Sequence, residues 1–496
     1  MRPSSSLSLL AAGLVFITAA ATGGAGTSWA VQSVRPAAPP SADPPHSPAA
    51  SPAGTGRPLQ DPPQLVSHDG VLKARITVSR RKVAVGDSEL FALTYNGSYM
   101  PPTLRIRPGD RVELDMVNEW TEDTNLHVHG LHVSPESPSD DIFIEIKPGG
   151  TFHYSYRIPH DITPGTYWYH SHADMRSASQ VAGGESGIII VDGLREYLPH
   201  PLKDITERVI ALKDDQTEGD SVKIENLSIG APTNRTINGQ QKPVISIGPG
   251  ETQLWRLANI GANIYYELHL PGRQFHVIAQ DGYPVEHVYS ADSLVVPAGA
   301  RFDVLVQGGS PGQAPLQTLA YDTGPAGNQF PQVDLATVVT EGSPVQPERL
   351  PDRFAPNEDL SGAAVAARHD IVYTENTAGT EFYINGRKFD PNRVDITSGL
   401  NTVEEWTVVN NTGEEHSFHV HTNQFQLMSV NGRPTGSGHR WYDTINVPAG
   451  GNAVLRIRFA DFTGRTVLHC HILNHEDNGM MAVLDIVPGS ATEQRR

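Results

Sequence analysis

One pattern recurs three times along this 496-residue chain, and no other feature limits its fold as much. Each copy has an Asn-Gly turn, a second turn, an alternating apolar strand and a closing Asn. The first copy runs Asn96-Gly97, Arg107-Pro108-Gly109, Val117-Asn118. The second runs Asn238-Gly239, Gly248-Pro249-Gly250, Ala258-Asn259, and the third Asn385-Gly386, Thr397-Ser398-Gly399, Val409-Asn410. The Asn-Gly-to-Asn separations are 22, 21 and 25 residues. Asn-Gly and Pro-Gly mark turns, and period-2 alternation between them marks half-buried strands. The pattern predicts an all-β protein of three related β-sandwich domains, at 65–192, 200–341 and 369–490. Gly342–Arg368, with four prolines and little periodicity, reads as the linker before the third. The length suits three domains, and 46 Gly with 39 Pro suit turn-rich sandwiches.

The N-terminus reads as an export signal over residues 1–30. Arg2 precedes an apolar run from Leu7 to Ala21, and Ser28-Trp29-Ala30 offers small residues where a signal peptidase cuts. The run is shorter than the roughly 20 residues of a membrane span. An uncleaved anchor is the alternative. No twin-arginine pair is present, which points to export unfolded with metal loaded outside. Residues 31–64 read as a disordered tether, with ten prolines between Arg35 and Pro63. The formal charge of -18 disfavours a nucleic-acid partner. An exported chain could use disulfides, yet Cys470 is the one cysteine and cannot form an internal bridge.

Counting from each closing Asn exposes a register. Offsets +9 and +11 are His127 and His129 in the first copy and His419 and His421 in the third. In the second they are Leu268 and Leu270. Strand filler would have no reason to match in this way, so the middle domain reads as a spacer without the site. Four clusters gather ten of the 21 histidines: His127-Val-His129, His170-Ser-His172, His416-Ser-Phe-His419-Val-His421, and His469-Cys470-His471 with His475. On an extended strand each His-x-His aims both imidazoles to one face. His469 and His471 therefore face one site and Cys470 the opposite one, so this tripeptide can join two metal centres. His416, His475 and Met480 are available on the Cys470 side. Two imidazoles, a thiolate and a long thioether make a blue-copper electron-transfer site. The remaining eight imidazoles exceed the roughly four ligands one zinc takes and suit redox-active copper.

Taken together, His127-Val-His129-Gly130, Tyr169-His170-Ser-His172, His416-x-x-His419-x-His421 and His469-Cys470-His471-Ile-Leu-Asn-His475-x-x-x-Gly479-Met480 resemble the four copper motifs of multicopper oxidases. The resemblance covers 65–490 and implies three tandem cupredoxin-like Greek-key domains. It also implies four copper ions: type 1 held by His416, Cys470, His475 and Met480; type 2 by His127 and His419; a type 3 pair by His129, His170, His172, His421, His469 and His471. The implied activity is one-electron oxidation of a donor, four times over, coupled to reduction of O2 to water by a secreted monomer. Four protons are needed. Glu476, and Asp140 or Asp141, are the candidate relays. Asp443 is expected beside a type 1 histidine, fixing its tautomer.

The ligands do not name the donor. With seven Met and no methionine cluster, the chain lacks the lid of copper-efflux relatives, so a laccase-like oxidation of phenols is the first expectation. Oxidation of Cu(I) or Fe(II) is the alternative. Two readings from other classes are a copper-sequestering protein and a zinc hydrolase; the second leaves Cys470 and Met480 unexplained.

Overall fold

The computed structural model describes residues 56–436 and 440–489. The segment expected to be an export signal lies outside them. Among the described residues no helix is long and apolar enough to cross a membrane.

The chain builds three two-sheet sandwiches in tandem, and the repeat explains why. In each copy the turn Asn lies in the left-handed region (φ of 55°, 53° and 52° at Asn96, Asn238 and Asn385), followed by a Gly that is also left-handed. That is the geometry of a tight hairpin turn. Each of these Asn side chains also stitches the turn to a neighbouring strand. Asn96 accepts from Thr77 N and donates to Arg75 O; Asn238 pairs likewise with Ala211 and Val209, and Asn385 with Val372 and Asp370. The closing Asn has a second constant role. Asn118, Asn259 and Asn410 accept from the amide two residues on and donate to carbonyls in the loop that follows. Each Asn thereby sets the loop that launches the next strand.

One five-stranded sheet per domain carries the consequence. Its last three strands are Ser186–Val191, Gly165–His170 and His127–His129 in the first domain, and Met481–Val487, Gly464–Cys470 and His416–Val420 ahead of an edge strand Thr444–Val447 in the third. In the middle domain the corresponding order is Val333–Thr340, Gly312–Thr318, Tyr266–His269. Leu268 there is fully buried in the apolar core, where the other two domains place histidine.

Two stretches differ from the sequence reading. Residues 56–64 do not behave as a free tether. Pro58 bridges Val244, Leu59 is buried in the core, and Asp61 accepts the Val209 amide. One apolar side chain in a proline-rich run is enough to dock it. The stretch 342–368 is also packed: Phe354, Ala355 and Leu360 are buried, and the backbone of Asp352 and Phe354 pairs with Val288 and Glu286.

Candidate metal centre

Antiparallel register brings the clusters together. His127 pairs with His170 across one strand boundary, and His419 with His469 and Phe418 with Cys470 across another. The alternation of side chains then sends Cys470 to one side and its two histidine neighbours to the other.

On the Cys470 side, Sγ lies 3.5 Å from His416 Nδ1 and 3.9 Å from His475 Nδ1, and those two nitrogens are 3.1 Å apart. The three side chains are 2 % exposed or less. Their outer nitrogens are engaged elsewhere. His416 Nε2 donates to Thr412 Oγ1 at 2.9 Å, because that hydroxyl already donates to Asn410 or to the Glu414 carbonyl; His475 Nε2 faces Glu414 at 3.5 Å. The lone pair of His416 Nδ1 is thereby turned toward the sulfur. Phe382 stacks on His475 at 4.0 Å. Met480 is fully buried in the same core, and its backbone bonds to both Cys470 and His475. Burial pushes the Cys470 thiol well up, so a thiolate there calls for a cation alongside.

On the opposite side the eight other histidines form one buried cluster. Burial, assisted by neighbouring imidazoles, lowers His127, His129, His170, His419, His421 and His471, His170 to about 3; burial, partly offset by Glu476, lowers His172 to about 4. Neutral imidazoles are what metal ligation requires. Four outward nitrogens are held: His127 Nδ1 by Asp140 at 2.9 Å, His469 Nδ1 by the Cys470 carbonyl at 3.1 Å with a Glu476 oxygen 2.8 Å away, His129 Nε2 by Asp443 at 3.1 Å, and His419 Nδ1 by the Asp443 carbonyl at 2.8 Å. The inward nitrogens of His127, His170 and His419 have no protein partner. His469 Nε2, with its proton at Nδ1, presents a lone pair within 3.3 Å of His172 Nε2 and 3.1 Å of His421 Nε2. His471 Nε2 sits 3.2 Å from His129 Nδ1. Three-residue groups that could each hold an ion include His172, His421 and His469; His127, His129 and His170; and His416, Cys470 and His475. Unpartnered buried nitrogens around a cysteine-bearing strand fit soft-to-borderline metal ions.

The carboxylates sort themselves. Asp140 and Glu476 touch the cluster; Asp141 does not, being half-buried and bonded to the Phe143 amide. Asp443 corrects the expectation that it serves a histidine on the Cys470 side. It lies against His129 and His419, because the register pairs Thr444 with His419 and sets Val447, three residues on, opposite His416. Sequence reasoning missed Arg301, Asp281 and Glu414, brought in by long-range contacts, and Thr412, which meets His416 only four residues on.

Family models described as multicopper oxidase match residues 77–195, 190–314 and 363–490. The chain belongs to the multicopper oxidase family. Membership implies copper, and the donor set fits it. A multicopper oxidase of Staphylococcus aureus is 28% identical over 417 residues, covering 79% of this oxidase and 83% of that protein. The cell division protein FtsP of Escherichia coli is also 28% identical, over 415 residues, covering 79% and 84%. The solved multicopper oxidase from Campylobacter jejuni, described as a metallo-oxidase, superposes with a TM-score of 0.77 at 26% identity, covering 87% of this oxidase and 96% of that chain. The nearly all-β chain matches the cupredoxin-like architecture of solved multicopper oxidases.

Proposed function

We propose that this oxidase removes electrons singly from a donor at the Cys470 site and delivers four of them, with four protons, to O2, forming two molecules of water. The observation that carries the reading is the complete donor set. His416, Cys470, His475 and Met480 would hold type 1 copper. His127 and His419 would hold type 2, and two trios would hold the type 3 pair: His129, His170 and His471; His172, His421 and His469. Bound copper supplies the one-electron couple and the centre at which O2 is reduced. Cys470 and its two bonded neighbours give a short covalent path between the sites. Asp140 and Glu476 are placed to hand on protons, each within hydrogen-bond reach of a cluster histidine. A storage protein would need neither the strand that joins the two sites nor carboxylates at the cluster. An exported location goes with this reading, from the signal-like residues 1–30.

Phenolic donors are the first reading for substrate. A second has a specific observation behind it: the Glu414 side chain lies 3.5 Å from the outer nitrogen of His475, its carboxyl pushed up to about 8 by burial and Glu375, and a Cu(I) or Fe(II) donor binding there would displace that proton. The test is the visible spectrum of copper-loaded protein beside O2 uptake with a phenol and with Cu(I). An intense thiolate-to-copper band, lost together with O2 uptake in Cys470→Ser, supports the oxidase. A colourless, metal-bound protein that consumes no O2 would sink it.

A further inference from the structure

The middle domain supplies none of the ligands, yet one of its side chains reaches the histidine cluster. Arg301 is fully buried at the start of the strand Arg301–Gln307 and touches all three domains. Its Nε donates to Thr166 O at 3.2 Å, on the strand that carries His170, and its Nη1 donates to Gly299 O at 3.1 Å in its own domain. Its two terminal nitrogens grip both oxygens of Asp443 in the third domain, at 2.6 and 2.7 Å. A two-pronged grip of this kind leaves a carboxylate one orientation.

That orientation decides the state of one ligand, while the backbone of the same residue holds a second. Asp443 Oδ1 accepts from His129 Nε2, and Asp443 O accepts from His419 Nδ1. The protons are then committed outward, which leaves His129 Nδ1 and His419 Nε2 with lone pairs for metal. A second carboxylate, Asp281, also approaches Arg301, with Oδ1 3.5 Å from Nη1. Burial, with Asp443 nearby, pushes Asp281 up to about 8, so the guanidinium charge is left for Asp443.

The glycine that ends the His127-Val-His129-Gly130 motif points the same way. Gly130 has φ of 84°, and a Cβ on it would fall 2.4 Å from Arg301 Nη2 and 2.5 Å from Asp443 Oδ2. The residue after His129 must lack a side chain because the ion pair occupies that space.

We propose that Arg301 is a positioning residue for the histidine cluster: it fixes the Asp443 carboxylate, which fixes the metal-facing nitrogen of His129. The ligand-free domain thus sets the geometry of a ligand in the first domain through a carboxylate of the third. This rests on the cluster being the copper site proposed above.

The experiment uses copper-loaded full-length protein: copper per chain, the chelator concentration that strips the copper, the thiolate-to-copper band, and the unfolding temperature of the metal-free form. In Arg301→Met the cluster copper should be roughly 10–100-fold easier to remove, as when other partners of metal-bound histidines are lost. The band at Cys470 should persist. Arg301→Lys should recover only part, since an ammonium cannot span both oxygens. Gly130→Ala should reproduce the loss. Because Arg301→Met leaves Asp443 buried without its partner, Arg301→Met/Asp443→Leu removes both charges and guards against simple misfolding. It must still lose cluster copper. Full copper retention in that double variant would show that Arg301 only balances charge and would overturn the proposal. So would loss of the Cys470 band in step with cluster copper and unfolding temperature. Wild-type protein holding copper only at Cys470 would instead overturn the copper reading of the cluster, and this role with it.

Discussion

Glu185 offers a quantitative test of the packing beneath the ligand strands. It is fully buried, two residues past the helix Ser177–Gly183, and its carbonyl accepts the amide of Ser171, between two of the cluster histidines. Burial pushes its carboxyl up to about 8 from 4.5; Glu122 adds to this, while the Thr124 hydroxyl, Lys213 and Tyr95 oppose it. The hydrogen bonding agrees with a protonated acid. Thr124 Oγ1 lies 3.0 Å from Gln180 Oε1 and 3.1 Å from Glu185 Oε2, with one proton to give. If Glu185 donates to Thr124, Thr124 is free to donate to Gln180. The unfolded chain releases the Glu185 proton first, so this group's contribution is most favourable at low pH and is lost as pH rises from 4.5 toward 8. Between pH 5 and pH 8 the loss is about 3 kcal/mol, from 1.36 kcal/mol per unit. Glu185→Gln keeps the shape and a donor toward Thr124 but cannot ionise. Urea unfolding of the copper-free wild type and variant at both pH values isolates the effect from metal binding. The variant should gain about 3 kcal/mol relative to wild type on moving from pH 5 to pH 8. Identical pH dependence in the two proteins would refute the buried neutral acid.

Three further outcomes follow from the site. Glu414→Gln should raise KM for Cu(I) or Fe(II) several-fold while leaving kcat/KM for a neutral phenol unchanged, measured as O2 uptake; equal effects on both donors would remove the case for a cation site at His475. Asp140→Asn should lower turnover by roughly 100-fold with copper content retained, since it keeps a contact with His127 but cannot pass a proton. Asn259→Ala and Asn410→Ala should each cost about 1–3 kcal/mol of stability by stranding buried loop carbonyls. The second should disturb the visible band more, because its loop leads straight to His416, whereas the first loop touches the His475 segment only through Ala262 and Asn263.

The sequence was most legible where one strand or one turn carries the information. The three Asn-Gly turns, the three closing asparagines, the histidines nine and eleven residues beyond two of them, and the opposed facing of Cys470 and its neighbours all follow from local geometry. The boundary of the packed chain was less so, because docking at residues 56–64 depends on Leu59 finding a distant core. Asp443 shows where local reading fails by a specific amount. Its nearness to the His416–His421 run was evident, but only the strand register says that it meets His419 and not His416. Asp140 and Asp141 are adjacent in one loop, and burial, which no local pattern reveals, separates them. Arg301 lies furthest from local reading. It stands 142 residues from Asp443, in the domain whose leucines had marked it as a spacer. Those leucines carry the reading that no ligand comes from there. What they could not convey is that a domain without ligands can still hold the charge that orients them, since that charge acts across a domain boundary, through a partner chosen by the fold. The one trace left in the sequence is Gly130, whose missing side chain records the space the ion pair fills.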